Sequence, residues 1–222
     1  MRLSRKNRTV RSDMIETPQI NRRDQRREAI LKIAQGVFLE EGFAAASMST
    51  IASRLGGSKG TLYNYFKSKD ELFAAYVQDA CAKVQEETFD HRLDDADPVE
   101  VVLQRVGESL LGHIYSEWAT DTFRLIIAEA KRSPELARIF YSAGPTAGRD
   151  RLAAYFARAA ARGALAIDDG HRAAEQFIGL CRGDRHFRLV LNLEPKPSEA
   201  EIAADVSAAV KMFMAAYGPV DR

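Results

Sequence analysis

Between Met48 and Tyr65 the residue types fall in a pattern that could grip a nucleic-acid duplex. Two short helices that cross steeply need a small residue where they touch, and Ala52 supplies it. The turn between them needs a backbone that tolerates positive φ, and Gly56 supplies that. Ile51, Leu55, Leu62 and Tyr65 recur at spacings that would pin both helices to a core. Gly57 departs from the pattern: a branched apolar residue would fill the space after the turn, so looser packing is expected there. The chemistry of such a unit is recognition by charge and hydrogen bonds, not bond-making. The other reading of these residues is a plain helical hairpin in an all-α protein. Catalytic patterns are missing from the sequence. His91, His113, His171 and His186 form no HExxH and no Cys/His cluster. No nucleophile elbow and no phosphate-cradling GxxxxGKS/T occur. Asp94, Asp95 and Asp97 gather in front of a helix start and read as a solvated linker.

The elements that must position this unit are helical almost throughout. Ile30, Ile33, Ala34, Val37 and Phe38 form one apolar stripe, and Gly42 ends that helix. Ser47 opens a second helix that ends at Gly56, and Ser58 caps a third over 59–66. Ser68 with Glu71 has the form of a capping box that opens a fourth helix, running to about Phe89. Asp97, Pro98 and Glu100 predict a fifth start, with Leu103, Val106, Leu110, Leu111, Ile114 and Trp118 as its stripe. Thr120 opens a sixth, with Phe123, Ile126, Ile127 and Ala130 inward, and Ser133-Pro134 opens another. Gly144-Pro145 is expected to kink or break that helix before Leu152, Tyr155, Phe156 and Ala159 resume the period. Asp168 or Asp169 leads into a helix carrying Phe177, Ile178 and Cys181. Pro195 and Pro197 separate it from a last helix, capped by Ser198 and Glu201, that buries Ile202, Val206, Val210, Phe213 and Tyr217. No alternating strand pattern occurs, so the expected fold is all-α.

The chain has 222 residues, 46% apolar and 28% charged, enough for a packed core in one or two domains. The net charge is only +1, but it is unevenly placed. Residues 1–70 hold 14 Lys and Arg against 7 Asp and Glu, whereas 71–222 hold 18 against 24. A first segment that meets a polyanion and a second with another task is the simplest reading. No apolar run approaches the ~20 residues that span a bilayer, and the basic N-terminus lacks the apolar stretch of a secretory signal. Cys81 and Cys181 have neither disulfide nor metal-ligand spacing, so a reduced, cytoplasmic protein without cofactor, metal or membrane partner is expected.

The stretches Gly42–Ala52 and Gly56–Phe73 closely resemble the DNA-binding domain of the TetR/AcrR family of bacterial transcriptional regulators. The likeness is specific over about residues 24–75 and departs at Ala46, where the family often has Thr, and at Gly57. Residues 124–145 and 152–183 look, more weakly, like the C-terminal domain of the AefR-like subgroup. The resemblance implies an all-helical homodimer. A basic flexible arm, 1–23, would precede an N-terminal three-helix helix-turn-helix domain, 24–70. A larger helical ligand-binding and dimerisation domain, 71–222, would follow. It also implies that Lys59, Thr61, Tyr63, Tyr65 and Lys69 contact DNA. In that setting Lys59 has the reach for guanine O6/N7, Asn64 could read a base edge, and Gly60 lets the backbone approach. Thr61, Tyr63 and Tyr65 carry hydroxyls suited to phosphate oxygens. Ser47 and Ser49 stand at a helix start that favours a phosphate, and Lys69 adds a charge at another.

The same resemblance places dimerisation on the last two helices, about 173–191 and 200–217, with Phe177, Leu180, Val206, Val210 and Phe213 as interface candidates. It implies a pocket for a small hydrophobic inducer, which His113, Trp118, Phe123, Arg124, Ile127, Phe140, Tyr155 and Phe177 would line. The expected function is a ligand-responsive regulator, in its usual form a repressor, bound to a palindromic double-stranded DNA operator. The alternative is a helical interaction or small-molecule-binding protein whose helix-turn-helix has lost DNA binding. Removing residues 1–23 tests the arm: if its arginines touch phosphates, the slope of log affinity against log salt falls by about one for each phosphate no longer neutralised. An unchanged slope would leave the arm without a role at the phosphates.

Overall fold

The computed structural model describes residues 22–90 and 92–219; residues 1–21 of the expected arm and His91 lie outside them. Among the described residues every regular element is helical. Helix α1, Arg22–Ala45, begins with Arg22 and Arg23, two residues expected in the arm. Its stripe of Ile30, Ala34, Val37 and Phe38 is fully buried, and Gly42 kinks it at φ 76°. Helices α2, Met48–Arg54, α3, Lys59–Tyr63, and α4, Lys69–Gln85, follow. Each is opened by a serine, Ser47, Ser58 or Ser68, whose hydroxyl accepts the backbone N–H three residues on. The Glu71 carboxylate does not close a box on Ser68; it accepts the N–H of Lys67 at 2.7 Å. Helix α3 also stops before the expected Phe66, because Tyr65 N–H turns back to Leu62 O and tightens the chain.

The remaining helices are α5, Val99–Ile114, α6, Glu117–Glu129, α7, Pro134–Tyr141, and α8, Ala147–Ala161, followed by α9, Gly170–Arg182, α10, Arg185–Val190, and α11, Glu199–Tyr217. Several starts differ from expectation. Pro98, not Asp97, precedes α5, and Asp97 instead pairs with Arg105 at 2.9 Å. The Ser116 hydroxyl caps α6, which therefore begins earlier than Thr120 and takes in Trp118. One helix expected after Asp169 is two, since Gly183 at φ 48° turns the chain between α9 and α10. Ser198 and Glu201 do form the reciprocal box that opens α11. Two wide turns of π-helical spacing, Glu86–Asp90 and Ser142–Thr146, extend α4 and α7. Pro145 inside the second has no N–H to give the regular ladder, so the backbone loosens there.

Two apolar cores form. The first joins Phe38, Phe43, Ile51, Leu62, Phe73 and Tyr76 from α1–α4 to Ile126 of α6 and Leu136 of α7. The second packs Leu103, Val106, Phe156, Phe177, Val206 and Phe213 from α5, α8, α9 and α11. A cut at residue 70 would divide the first core, because Leu72, Phe73, Tyr76, Val77 and Cys81 all belong to it. Four of the five interface candidates are corrected here. Phe177, Val206, Val210 and Phe213 are no more than 6% exposed, and the Phe213 ring lies 5.1 Å from Phe156 and 5.4 Å from Phe177. The apolar stripes of α9 and α11 face α5 and α8 of the same chain; only Leu180 of the five is exposed.

Helices α5 and α11 approach closely at Gly107. A Cβ there would stand 2.6 Å from Val206 Cγ1 of α11, inside any tolerable contact. Gly107→Ala is therefore expected to destabilise the protein by about 1–3 kcal/mol. Gly107→Ala with Val206→Ala should recover part of that loss in denaturant melts. Two independent, additive losses would show that the two residues do not meet.

Candidate nucleic-acid interface and ligand cavity

Helix α3 is held by one buried side chain, Leu62, at 0% exposure. Around it Lys59, Gly60, Tyr63 and Asn64 are exposed, and Tyr63 presents 47% of its surface. Thr61 is half-buried, with its hydroxyl 3.1 Å from that of Ser58. Tyr65 is half-buried against the first core, so only part of its ring is free for a partner. Gly56 sits at φ 67°, as the turn requires. At Gly57, which is half-buried, Arg26 Nη2 of α1 lies 3.3 Å from where a Cβ would stand. Ala46 is buried in the first core.

The serines of α2 divide by role. The Ser47 hydroxyl accepts Thr50 N–H at 3.0 Å and lies 2.9 Å from Thr50 Oγ1, so it is engaged within its own helix. Ser49 is exposed beside it. Lys69 Nζ donates to the carbonyl oxygens of Phe43 at 2.5 Å and Ala44 at 3.2 Å, and lies 4.5 Å from the Phe43 ring centre. It thus ties the start of α4 to the corner after the α1 kink. Arg54 braces the other end of α2 through Glu40 at 2.6 Å and Glu41 at 3.2 Å. The roles of Arg26 and Arg54 carry no sequence signal; only the fold brings α1 against α2 and the turn before α3.

A cavity of about 600 Å³ opens at the junction of the two cores. His113, Trp118, Phe123 and Phe140 line it, as expected. Four other pocket candidates do not. Ile127 is 54% exposed on the outer side of α6. Tyr155 and Phe177 are fully buried in the second core. The Arg124 guanidinium donates to the carbonyl oxygens of Val190 at 2.7 Å and Leu189 at 2.6 Å, where it closes the end of α10. The wall also contains Cys81, Gln85, Phe89, Arg182 and His186, none of them expected from sequence. Gln85 had a legible signal: it follows Val77 and Cys81 at four-residue spacing, a polar group on a buried stripe. Burial pushes the Cys81 thiol up to about 11, so it is a packing group at neutral pH. His113 Nε2 lies 3.2 Å from a Glu87 carboxylate oxygen.

Beyond the α4 residues in its wall, the cavity is linked to α4 by a partly buried polar contact. Trp118 Nε1–H donates to the Tyr76 hydroxyl at 2.7 Å, and that hydroxyl lies 2.9 Å from Thr122 Oγ1. Trp118 and Thr122 line the cavity, whereas Tyr76 belongs to the first core. Burial raises the pKa of Tyr76, which stays a neutral phenol.

Comparison with known proteins agrees with this arrangement. The family described as "Bacterial regulatory proteins, tetR family" matches residues 30–76, and "AefR-like transcriptional repressor, C-terminal domain" matches residues 101–219. The transcriptional activator FasR of Mycolicibacterium smegmatis is 48% identical over 56 residues, only 26% of its own length. The regulator BetI of Rhizobium meliloti is 25% identical over 84% of this chain and 88% of its own. A TetR-family structure from Mesorhizobium loti MAFF303099 superposes with a TM-score of 0.81 at 28% identity, over 89% of this chain and 99% of that one. The flavonoid-responsive regulator FrrA superposes with a TM-score of 0.77 at 33% identity, with the same coverage.

Lys59 is exposed, so Lys59→Ala should leave the melting temperature unchanged while weakening duplex binding and lowering its salt slope by about one. Lys69→Ala should lower the melting temperature as well, because it frees two carbonyls. Equal melting temperatures for both variants, by calorimetry, would contradict the tie seen at Phe43 and Ala44.

Proposed function

The chain belongs to the TetR family of transcriptional regulators, and we propose that it binds a palindromic operator as a homodimer and is released by a small apolar effector. The matched families and relatives are regulators, not enzymes. The observation that carries the proposal is the exposed face of α3. A helix of five residues anchored by Leu62 alone leaves Lys59, Gly60, Tyr63 and Asn64 uncovered, and these are groups that suit a major groove. Lys59 supplies charge and base-edge reach, Ser49 and the N-terminus of α2 suit a phosphate, and Asn64 suits a base edge. Lys69 acts through the α1–α2 corner and offers its charge at the edge of the same face.

One such unit makes few contacts, and two held at a fixed spacing make a symmetric site. The exposed apolar side chains of the C-terminal part support a twofold contact there. Leu180 of α9 and Met212 of α11 lie on the outer faces of helices whose inner faces fill the second core, and Phe187, Leu191 and Leu193 are exposed nearby. These residues, rather than the buried four, are the dimer candidates.

The cavity is the effector site in this reading. Its wall is mostly apolar and aromatic, and FrrA, which shares the fold at 33% identity, is named as flavonoid-responsive. An aromatic effector fits both facts. Its entry would displace Trp118, and through the Trp118–Tyr76 hydrogen bond it would bias α4, which carries Lys69 at its other end. Repression relieved by the effector follows if the displaced arrangement sets the two α3 helices at the wrong distance.

Selection from random duplex DNA should recover an inverted repeat with half-sites about one helical turn, ~34–36 Å, apart. Failure to retain any duplex at low salt would overturn the operator reading. Leu180→Glu with Met212→Glu should give a folded monomer by light scattering and weaken operator binding, whereas an intact dimer would move the interface elsewhere. Tyr76→Phe should keep operator affinity but reduce release by effector. Normal release would remove Tyr76 from the coupling.

A further inference from the structure

Two residues of the cavity wall each carry a buried polar atom without a hydrogen-bond partner among the described residues, Gln85 Oε1 and His186 Nδ1. Gln85 is 7% exposed and His186 9%. The Gln85 amide nitrogen donates to Gly144 O at 3.0 Å, which fixes the side chain and leaves its oxygen as a free acceptor. His186 stacks near Tyr115 and lies 5.2 Å, ring centre to ring centre, from Phe123 of the wall. Burial, with the charge of Arg182 nearby, lowers its pKa to about 4, so at neutral pH it is an uncharged imidazole. Buried polar groups are nearly always hydrogen-bonded, and an unmet one favours whatever completes it.

The surroundings narrow the chemistry. Phe89 flanks Gln85: an added Cβ at Gly148 would meet the Gln85 amide nitrogen and the Phe89 ring both at 3.4 Å. Phe123, Phe140 and Trp118 supply further flat apolar surface. The charged wall residues are Arg149, Arg182 and Glu175, one positive charge in excess, which disfavours a cationic molecule. Both unmet atoms belong to uncharged groups. Gln85 Oε1 needs a donor. His186 Nδ1 needs a donor in one tautomer and an acceptor in the other. A hydroxyl meets all three demands, whereas a ketone or ether cannot serve Gln85.

We propose that the effector is an uncharged hydroxylated aromatic molecule, recognised by one hydroxyl at Gln85 Oε1 and another at His186 Nδ1. The proposal rests on the cavity being the effector site and adds the groups that confer selectivity within it. Gln85 and His186 are then specificity-determining residues: shape and apolar area admit many aromatics, and these two atoms choose among them.

Three rigid probes of one shape test this by calorimetric titration of the full chain: biphenyl, 4,4′-dihydroxybiphenyl and biphenyl-4,4′-dicarboxylate. The dihydroxy probe should bind about tenfold or more tighter than biphenyl, since each completed hydrogen bond adds to affinity. Gln85→Met and His186→Phe, which keep size, should each bring the ratio of dihydroxybiphenyl to biphenyl affinity most of the way back to one. The ratio of two probes on one sample cancels any general loosening of the core. A wild-type ratio near one would overturn the proposal without any variant while leaving the cavity as the effector site. So would a preference for the dicarboxylate, or variants that keep the wild-type ratio. Binding of none of the three probes would overturn the cavity reading itself.

Discussion

Helix α4 must satisfy two cores with one surface. Its first turns bury Leu72, Phe73, Tyr76 and Val77 among the side chains of α1–α3, and its last turn delivers Gln85 to the cavity wall and runs on to Phe89 in the second core. The helix cannot shift to improve one set of contacts without disturbing the other, because close-packed interiors do not deform smoothly. The other features follow from this constraint. Lys69 at one end holds the corner that presents α2 and α3, and Gln85 at the other end faces the cavity.

The link between the halves is polar where most of the packing is apolar. Tyr76 hydroxyl, Trp118 indole and Thr122 hydroxyl form a buried set of hydrogen bonds between α4 and α6. Such a set has defined geometry, and breaking one member leaves the others unpaired in a medium of low dielectric. An aromatic chain continues from Tyr76 through Phe73, 5.9 Å away, to Phe43, 5.1 Å further. Phe43 in turn carries the carbonyl that Lys69 holds. Wall and recognition unit are thus joined by rigid groups in contact, a physical basis for one to bias the other.

The cavity owes its form to irregular backbone. Both wide turns, Glu86–Asp90 and Ser142–Thr146, border it, and they contribute Phe89, Gly144 and Pro145 to its wall. A regular ladder at either place would draw the helices into closer register. Gly144 and Gly148 keep the side facing α4 low: a Cβ on the first would meet Cys81 Sγ at 3.3 Å, and one on the second would meet Gln85 and Phe89. A space of this kind needs small residues and loosened turns as much as it needs aromatic walls.

The recognition unit was legible in the chain because its constraints are local. Serine caps, the turn glycine, Ala52 and Leu62 act over a few residues, and the structure has each at its expected place. The all-helical character was legible for the same reason, from apolar periodicity and caps. Which side of an apolar stripe meets which neighbour is not local. Phe177, Val206, Val210 and Phe213 have the same composition whether they face their own α5 and α8 or another copy, and only the tertiary packing assigned them to the chain's own core. Arg124 likewise could not be told from a ligand anchor until α10 placed two carbonyls in its reach. Residue type and spacing fixed the helices and the grip; the cavity wall and the inner and outer faces depended on contacts between residues far apart in sequence, which short-range patterns do not encode.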